Sequence, residues 1–342
     1  MIRAWALCAD AGQGTESGSF WRQQTVTAVR CLLHAAALGG RSPADLYRWS
    51  LTPGAAKEAV DILVDAPRAA LAWDQALDAI IAADSRQRDS VWAMVANALA
   101  ALADPHVLAA VSPSADQSFD PAPFLRQRGT LYLLGTAAGA SATASLVAAL
   151  VEDVVEVARR LAAASPGARL DPPLGLILDE AANYPLPSLG ALMSEGGGTG
   201  ITTVTVLQSL AQARDRWGRE TAGAIWDSAI AKLVLPGSSN ADDLADISRL
   251  LGDRTVTEHT ETSQSGGHKS VSTAKRERPI LDPAAIRTLG PGHALLLLRS
   301  AKPIMLTLQP WTGRPDAAQI RTARAEIETT FRAAASQGVS DA

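Results

Sequence analysis

The run Leu174-Gly-Leu-Ile-Leu178, followed directly by Asp179 and Glu180, constrains this chain more than any other stretch. A short apolar run behind a Pro-Pro pair suits a strand buried on both faces of a parallel sheet. Two carboxylates then stand where the strand ends, and open α/β sheets place their ligands beyond the carboxyl ends of their strands. In phosphoryl-transfer proteins the first such acid belongs to the Mg2+ shell and a neighbouring group orients the attacking water. The pattern is that of a Walker B element. Taken alone it is equally an ordinary strand end with solvated carboxylates, so the flanking segments decide.

After residue 124 strand and helix patterns alternate. Strands are expected at 129–135, 174–178, 201–207 and 231–235, with helices at 141–164, 187–195, 209–217 and 219–229 between them. A further helix is capped by Asn240 and ended by Gly252. Such alternation means an α/β fold, a mostly parallel sheet flanked by helices. Before residue 124 no strand pattern occurs. Helical spacing runs from Phe20 to Leu38, restarts at Ser42-Pro43, and continues over 54–65, 68–83 and 86–110. The expected division is a linker at 1–18, an all-α domain at 19–118, the α/β domain at 119–313, and a C-terminal helix or tail at 314–342.

Hydrophobic residues make up 47% of the 342 and aromatic residues only 4%, which favours closely packed, Ala-rich helices. A net charge of −4 gives the whole chain no nucleic-acid signature, so any DNA contact has to be local. Cys8 and Cys31 lack metal-ligand spacing, as do the 5 histidines, and a reducing cytoplasmic setting follows. No run has the length and apolarity of a membrane span. The polar, β-prone stretch from Thr255 to Arg278, with Gly266-Gly267 at its middle, reads as an exposed hairpin. Its Lys269, Lys275, Arg276 and Arg278 either contact DNA phosphates or simply solubilise the hairpin.

Gln208 is the other candidate group. It stands at the tip of the strand expected at 201–207, where it either hydrogen-bonds a γ-phosphate or attacking water, or caps the helix that follows. Arg214 and Arg216 read as a solvated helix face.

Taken together, LGLILDEAANYPLPSLGALMSEGGGTGI, VLQSLAQARDRWG, LVLPGSSNADDLADISRLLGD and RERPILDPAAIRTLGPGHALLLLRSAKP resemble the type IV secretion coupling proteins of the TraG/TraD type. FWRQQTVTAVRCLLHAAAL is similar to the opening of that family's all-α domain. The resemblance covers most of residues 19–312 and implies a RecA-like motor with a separate all-α domain. It implies an ATP- and Mg2+-dependent translocase of single-stranded DNA at the cytoplasmic face of the bacterial inner membrane. Homo-hexamers, relaxase and relaxosome proteins, and the secretion channel would be its partners. Under it Asp179 is the metal-shell acid, Glu180 the catalytic acid and Gln208 the γ-phosphate sensor, with Ser209 and Gln212 completing a Gln-Ser-x-x-Gln run.

Two departures from the family stand out. The sequence contains no G-x-x-x-x-G-K-[ST], which implies either an N-terminally truncated member or a degenerate paralogue, and weak or absent ATP binding by this polypeptide alone. Gly196–Gly200 occupies a stretch where some relatives carry an arginine that reaches a neighbouring subunit; that role is unfilled here or falls to Arg214 or Arg216. The competing reading is a non-catalytic adaptor that recognises relaxosome or secretion-substrate proteins.

Overall fold

The computed structural model describes residues 1–12, 17–114, 116–134, 137–263 and 269–340. The chain forms two compact units, Met1–Ala229 and Ile230–Ala342.

The first unit opens with helices α1 (Ile2–Leu7), α2 (Gly18–Gly39), α3 (Pro43–Leu51), α4 (Lys57–Asp65), α5 (Trp73–Ile81) and α6 (Ser85–Ala98). Shorter α7 (Pro105–Ala110) and α8 (Pro121–Arg126) lead to the long α9 (Ala137–Ala163). Then come β1 (Leu174–Leu178), α10 (Leu189–Thr199), β2 (Ile201–Thr205), α11 (Leu210–Trp217) and α12 (Arg219–Ser228). Local chemistry sets these boundaries. Ser42 and Asp45 form a reciprocal capping box at the start of α3, with Pro43 at its first position. Gly40, at φ 61, ends α2 in the left-handed conformation that glycine tolerates best. Asp84 and Asp104 accept backbone N–H groups at the starts of α6 and α7.

Alanines at 28, 35, 56 and 59 let the helices approach closely around Val26, Leu32, Trp49, Leu77 and Trp92. The same core runs on through Ala148 of α9 to Leu186, Leu189 and Ile225. The division expected near residue 118 therefore does not separate packed bodies, because helices before it and strand-bearing chain after it share one apolar interior. Residues 1–18 are likewise not a mere linker. Ala4, Ala6, Leu7 and Cys8 of the first segment are buried, and Arg3 is bridged to Asp153 of α9 at 2.8 Å. Burial pushes the Cys8 thiol up to about 12. Residues 13–16, in the Gly/Ser-rich part of that segment, lie outside the described residues.

The strand expected at 129–135 is also absent among the described residues of that span; residue 135 lies outside them. Residues 129–134 carry no strand pairing, and Tyr132 and Leu134 are 79% and 81% exposed. Apolar, β-prone residues fix a strand only where a ladder partner exists, and β1 pairs with β2.

The second unit contains β3 (Ala231–Val234), α13 (Ala241–Leu251), β4 (Asp253–Ser263), β5 (Lys269–Pro279), α14 (Pro283–Arg287), β6 (His293–Leu298), β7 (Ile304–Thr307) and α15 (Ala317–Ser340). Strands β3, β6 and β7 form an antiparallel sheet. Leu244, Ile247 and Leu251 of α13 pack with Ile286 and Leu295 to make this unit's core. Strands β4 and β5 form a long antiparallel hairpin; Gly266-Gly267, expected at its turn, lie outside the described residues.

Candidate nucleotide site

The site follows from the one parallel pair among the described strands. β1 and β2 run in register from Leu174 opposite Ile201 to Leu178 opposite Thr205, so their carboxyl ends lie side by side. Pairing continues past both ends. Val206 N–H donates to the Leu178 carbonyl at 2.9 Å, and Ala181 N–H donates to the Val206 carbonyl at 3.1 Å. Chain leaving β1 is thereby held against chain leaving β2.

This junction brings Glu180 and Gln208 into contact. The Gln208 Nε2 donates to Glu180 Oε1 at 3.1 Å, and Asn183 Nδ2 donates to Glu180 Oε2 at 2.8 Å. Two neutral amides thus fix both carboxylate oxygens without neutralising their charge. Glu180 itself sits at φ 47, ψ 44, a left-handed conformation that costs a non-glycine residue energy and is met at functional sites. Its N–H donates to Asp179 Oδ1 at 3.1 Å, which orients the neighbouring acid. The cap of α11 falls to Ser209, whose side chain accepts the Gln212 N–H at 3.2 Å, leaving the Gln208 amide for Glu180.

Asp179 and Glu180 are both exposed, and no group of three or more His, Cys, Asp or Glu among the described residues could enclose a metal. Such a donor set fits Mg2+, which takes one or two carboxylates and draws its other ligands from water and substrate phosphates.

The loop after Glu180 is fastened from two sides. Glu152 of α9, only 4% exposed, accepts the Ser188 N–H at 2.9 Å, and Trp217 at the end of α11 donates from Nε1 to the Leu186 carbonyl at 3.0 Å. Sequence reasoning missed Asn183, Glu152 and Trp217. The only signal for Glu152 was a single acid within the apolar face of a helix.

Arg214 and Arg216 lie in the last turn of α11, at the opposite end from Gln208. In the Gly196–Gly200 stretch a Cβ on Gly196 would stand 2.7 Å from the Ile201 carbonyl oxygen, so backbone approach demands glycine there. The guanidinium of Arg169 reaches this stretch, donating to the Gly197 carbonyl at 2.6 Å. Lys269, Lys275, Arg276 and Arg278 all fall on β5 of the other unit; the side chain of Lys269 lies outside the described residues.

Residues 173–291 match the family described as the TraM recognition site of TraD and TraG. No curated protein matches the sequence. Among solved structures the chain is similar to an unbound monoclinic form of the bacterial conjugative coupling protein TrwBdeltaN70, with a TM-score of 0.67 and 20% identity over 90% of this chain and 67% of that one. It is similar to the plasmid coupling protein TrwB in complex with ADP and Mg2+, with a TM-score of 0.65, 21% identity, and coverage of 90% and 67%. TrwB in complex with a non-hydrolysable ATP analogue gives 0.64, 20%, 90% and 68%. No helix among the described residues is long and apolar enough to cross a membrane.

Proposed function

We propose that the chain is a coupling protein of the TraG/TraD type, a reading supported by the match over residues 173–291 and the likeness in fold to TrwB, and that it forms the acid-and-glutamine side of an ATP-hydrolysing site that drives single-stranded DNA through a type IV secretion system. The observation that carries this reading is the Gln208–Glu180 hydrogen bond at the joined ends of two parallel strands. Asp179 would hold the Mg2+ shell through water, Glu180 would orient and deprotonate the attacking water, and Gln208 would meet the γ-phosphate. Mg2+ bound there would supply charge neutralisation at the phosphates. Residues that cradle those phosphates are not among these three. Loops and hairpins with phosphate contacts, rather than base readout, would engage the DNA.

By analogy with the family, the working assembly is a homo-hexamer at the cytoplasmic face of the inner membrane, fed by relaxase and relaxosome proteins. The description of residues 173–291 as a TraM recognition site supports contact with a relaxosome protein. Helices within 19–118 are then the substrate-facing all-α region and 119–313 the RecA-like region.

Conjugation tests the reading. In donor cells whose copy of this gene carries Asp179→Asn, DNA transfer is expected to fall to background while the protein accumulates normally. Wild-type transfer frequency in that strain would refute the motor and favour the adaptor.

A further inference from the structure

The hairpin of β4 and β5 has two chemically different faces, and the register settles which residues share one. Residues directly opposite on antiparallel strands point to the same side, and alternate residues to opposite sides. Arg254 stands opposite Arg278, Val256 opposite Arg276, and Glu258 opposite Ala274. Three arginines and one glutamate therefore share a face at the hairpin's root. On the other face Asp253 opposes Pro279, Thr255 opposes Glu277 and Thr257 opposes Lys275, so that face carries two acids and one lysine.

The basic face is under-compensated. Glu258 serves two arginines at once, pairing with Arg278 through Oε1 and with Arg276 through Oε2 at 3.3 Å. Both arginine side chains remain mostly exposed, Arg276 at 67% and Arg278 at 61%. Among the described residues Arg254 has no carboxylate partner, although it lies directly across from Arg278. Like charges in directly opposed positions weaken a sheet, and a bound anion removes that cost. Arg254 and Arg278 also line one open cavity of about 450 Å³ where the hairpin meets α14. Asp282 borders it too, with its carboxylate accepting the Ala285 N–H at 2.7 Å to cap α14.

We propose that Arg254, Arg276 and Arg278 form a binding face for the phosphate backbone of single-stranded nucleic acid, with Glu258 as a built-in competitor for two of the three. The proposal rests on the reading of the chain as part of a DNA-moving machine. It adds Arg254, which sequence reasoning passed over, and sets Lys275 on the opposite side. No Phe, Tyr or Trp occurs between Asp253 and Pro279, so the hairpin lacks the large rings on which bases stack best. Binding there is electrostatic and independent of sequence.

The test is fluorescence anisotropy of a labelled oligo-dT against the full chain, without nucleotide, across a salt series. Each phosphate contact to a single strand contributes a slope of about −0.7 in log K against log salt. Arg254→Ala is expected to make the slope shallower by about 0.7, and the triple arginine-to-alanine variant by about 2. Arg254→Lys keeps the slope, which separates charge from folding. Lys275→Ala leaves it unchanged. Glu258→Gln tightens binding about threefold to tenfold, because it releases Arg276 and Arg278. Arginine variants with wild-type slopes, an equal effect of Lys275→Ala, or weaker binding by Glu258→Gln would each overturn the proposal. Displacement of the oligonucleotide by polyglutamate at equal charge would assign the face to an acidic protein and overturn it as well. Substitutions at Asp179 and Glu180 leave this binding untouched, so failure of the nucleotide reading and failure of the arginine face are separate results.

Discussion

Glu180→Gln is expected to lower Mg2+- and DNA-dependent ATP turnover, measured in an assembly that supplies the phosphate-binding loop, by about 10²–10⁴-fold, the range supplied by a positioned acid–base group. Nucleotide binding should change little. The substitution keeps the size of the side chain and its Oε1 acceptor for Gln208, but removes the negative charge that would attract a proton from water. It also replaces the oxygen that accepts from Asn183 with a second amide donor. Two donors then face each other, so the side chain rotates or the Asn183 contact breaks. Steady-state turnover together with equilibrium binding of a non-hydrolysable analogue separates the two effects. Turnover within threefold of wild type would remove Glu180 from the chemistry.

The second large effect concerns the helical part of the first unit. Trp49→Ala is expected to destabilise that unit by about 3–5 kcal/mol, the range for deleting a large buried aromatic side chain. Trp49 is 0% exposed. Its indole Nε1 donates to Glu58 Oε2 at 3.0 Å, and its backbone carbonyl accepts from Trp92 Nε1 at 3.3 Å, so the residue joins α3, α4 and α6. Truncation leaves a cavity and removes one of the two donors to Glu58 Oε2, which keeps its bond from Arg48. Trp49→Phe retains most of the volume and loses only the donor, and about 1–2 kcal/mol is expected. Urea unfolding followed by circular dichroism gives both numbers; a loss below 1 kcal/mol for the alanine variant would contradict the packing described.

A pH signature accompanies this pair. The Glu58 carboxyl is held below the usual carboxylate range, first by its hydrogen bond from Arg48 and then by that from Trp49. A depressed carboxyl stabilises the fold above its unfolded pKa, and the contribution disappears as pH falls through the lower folded value. Trp49→Phe weakens the depression, so acid unfolding should begin at higher pH than in the wild type.

Much of the site was legible because strand ends are legible. Five apolar residues ending in Asp179-Glu180, and β-branched residues leading to Gln208, locate two adjacent carboxyl edges once the strands are taken as parallel. That Gln208 meets Glu180 while Ser209 caps the helix was not legible, since either side chain can cap from sequence alone. Asn183 acts through a single turn after Glu180, and Glu152 and Trp217 act across the chain, where spacing gives no hint.

Packing does not follow the breaks in composition. Residues 112–114 and 116–120, rich in Ser, Pro and Asp, are exposed and form no helix or strand, yet alanine-rich helices on both sides share one core. The helix expected at 187–195 runs on as α10 to Thr199, and glycine at 196 admits the Ile201 carbonyl. Residues 129–134 have a strand's composition without a strand's partner.

The claim on which the account turns is that Glu180 and Gln208 work as one unit at the joined strand ends. A double-substitution cycle on ATP turnover tests it most directly, comparing Glu180→Gln, Gln208→Ala and the pair. Groups that act together are strongly non-additive, so the double variant should be no slower than Glu180→Gln alone. If the two losses multiply, Gln208 acts independently of Glu180 and the proposed site is wrong.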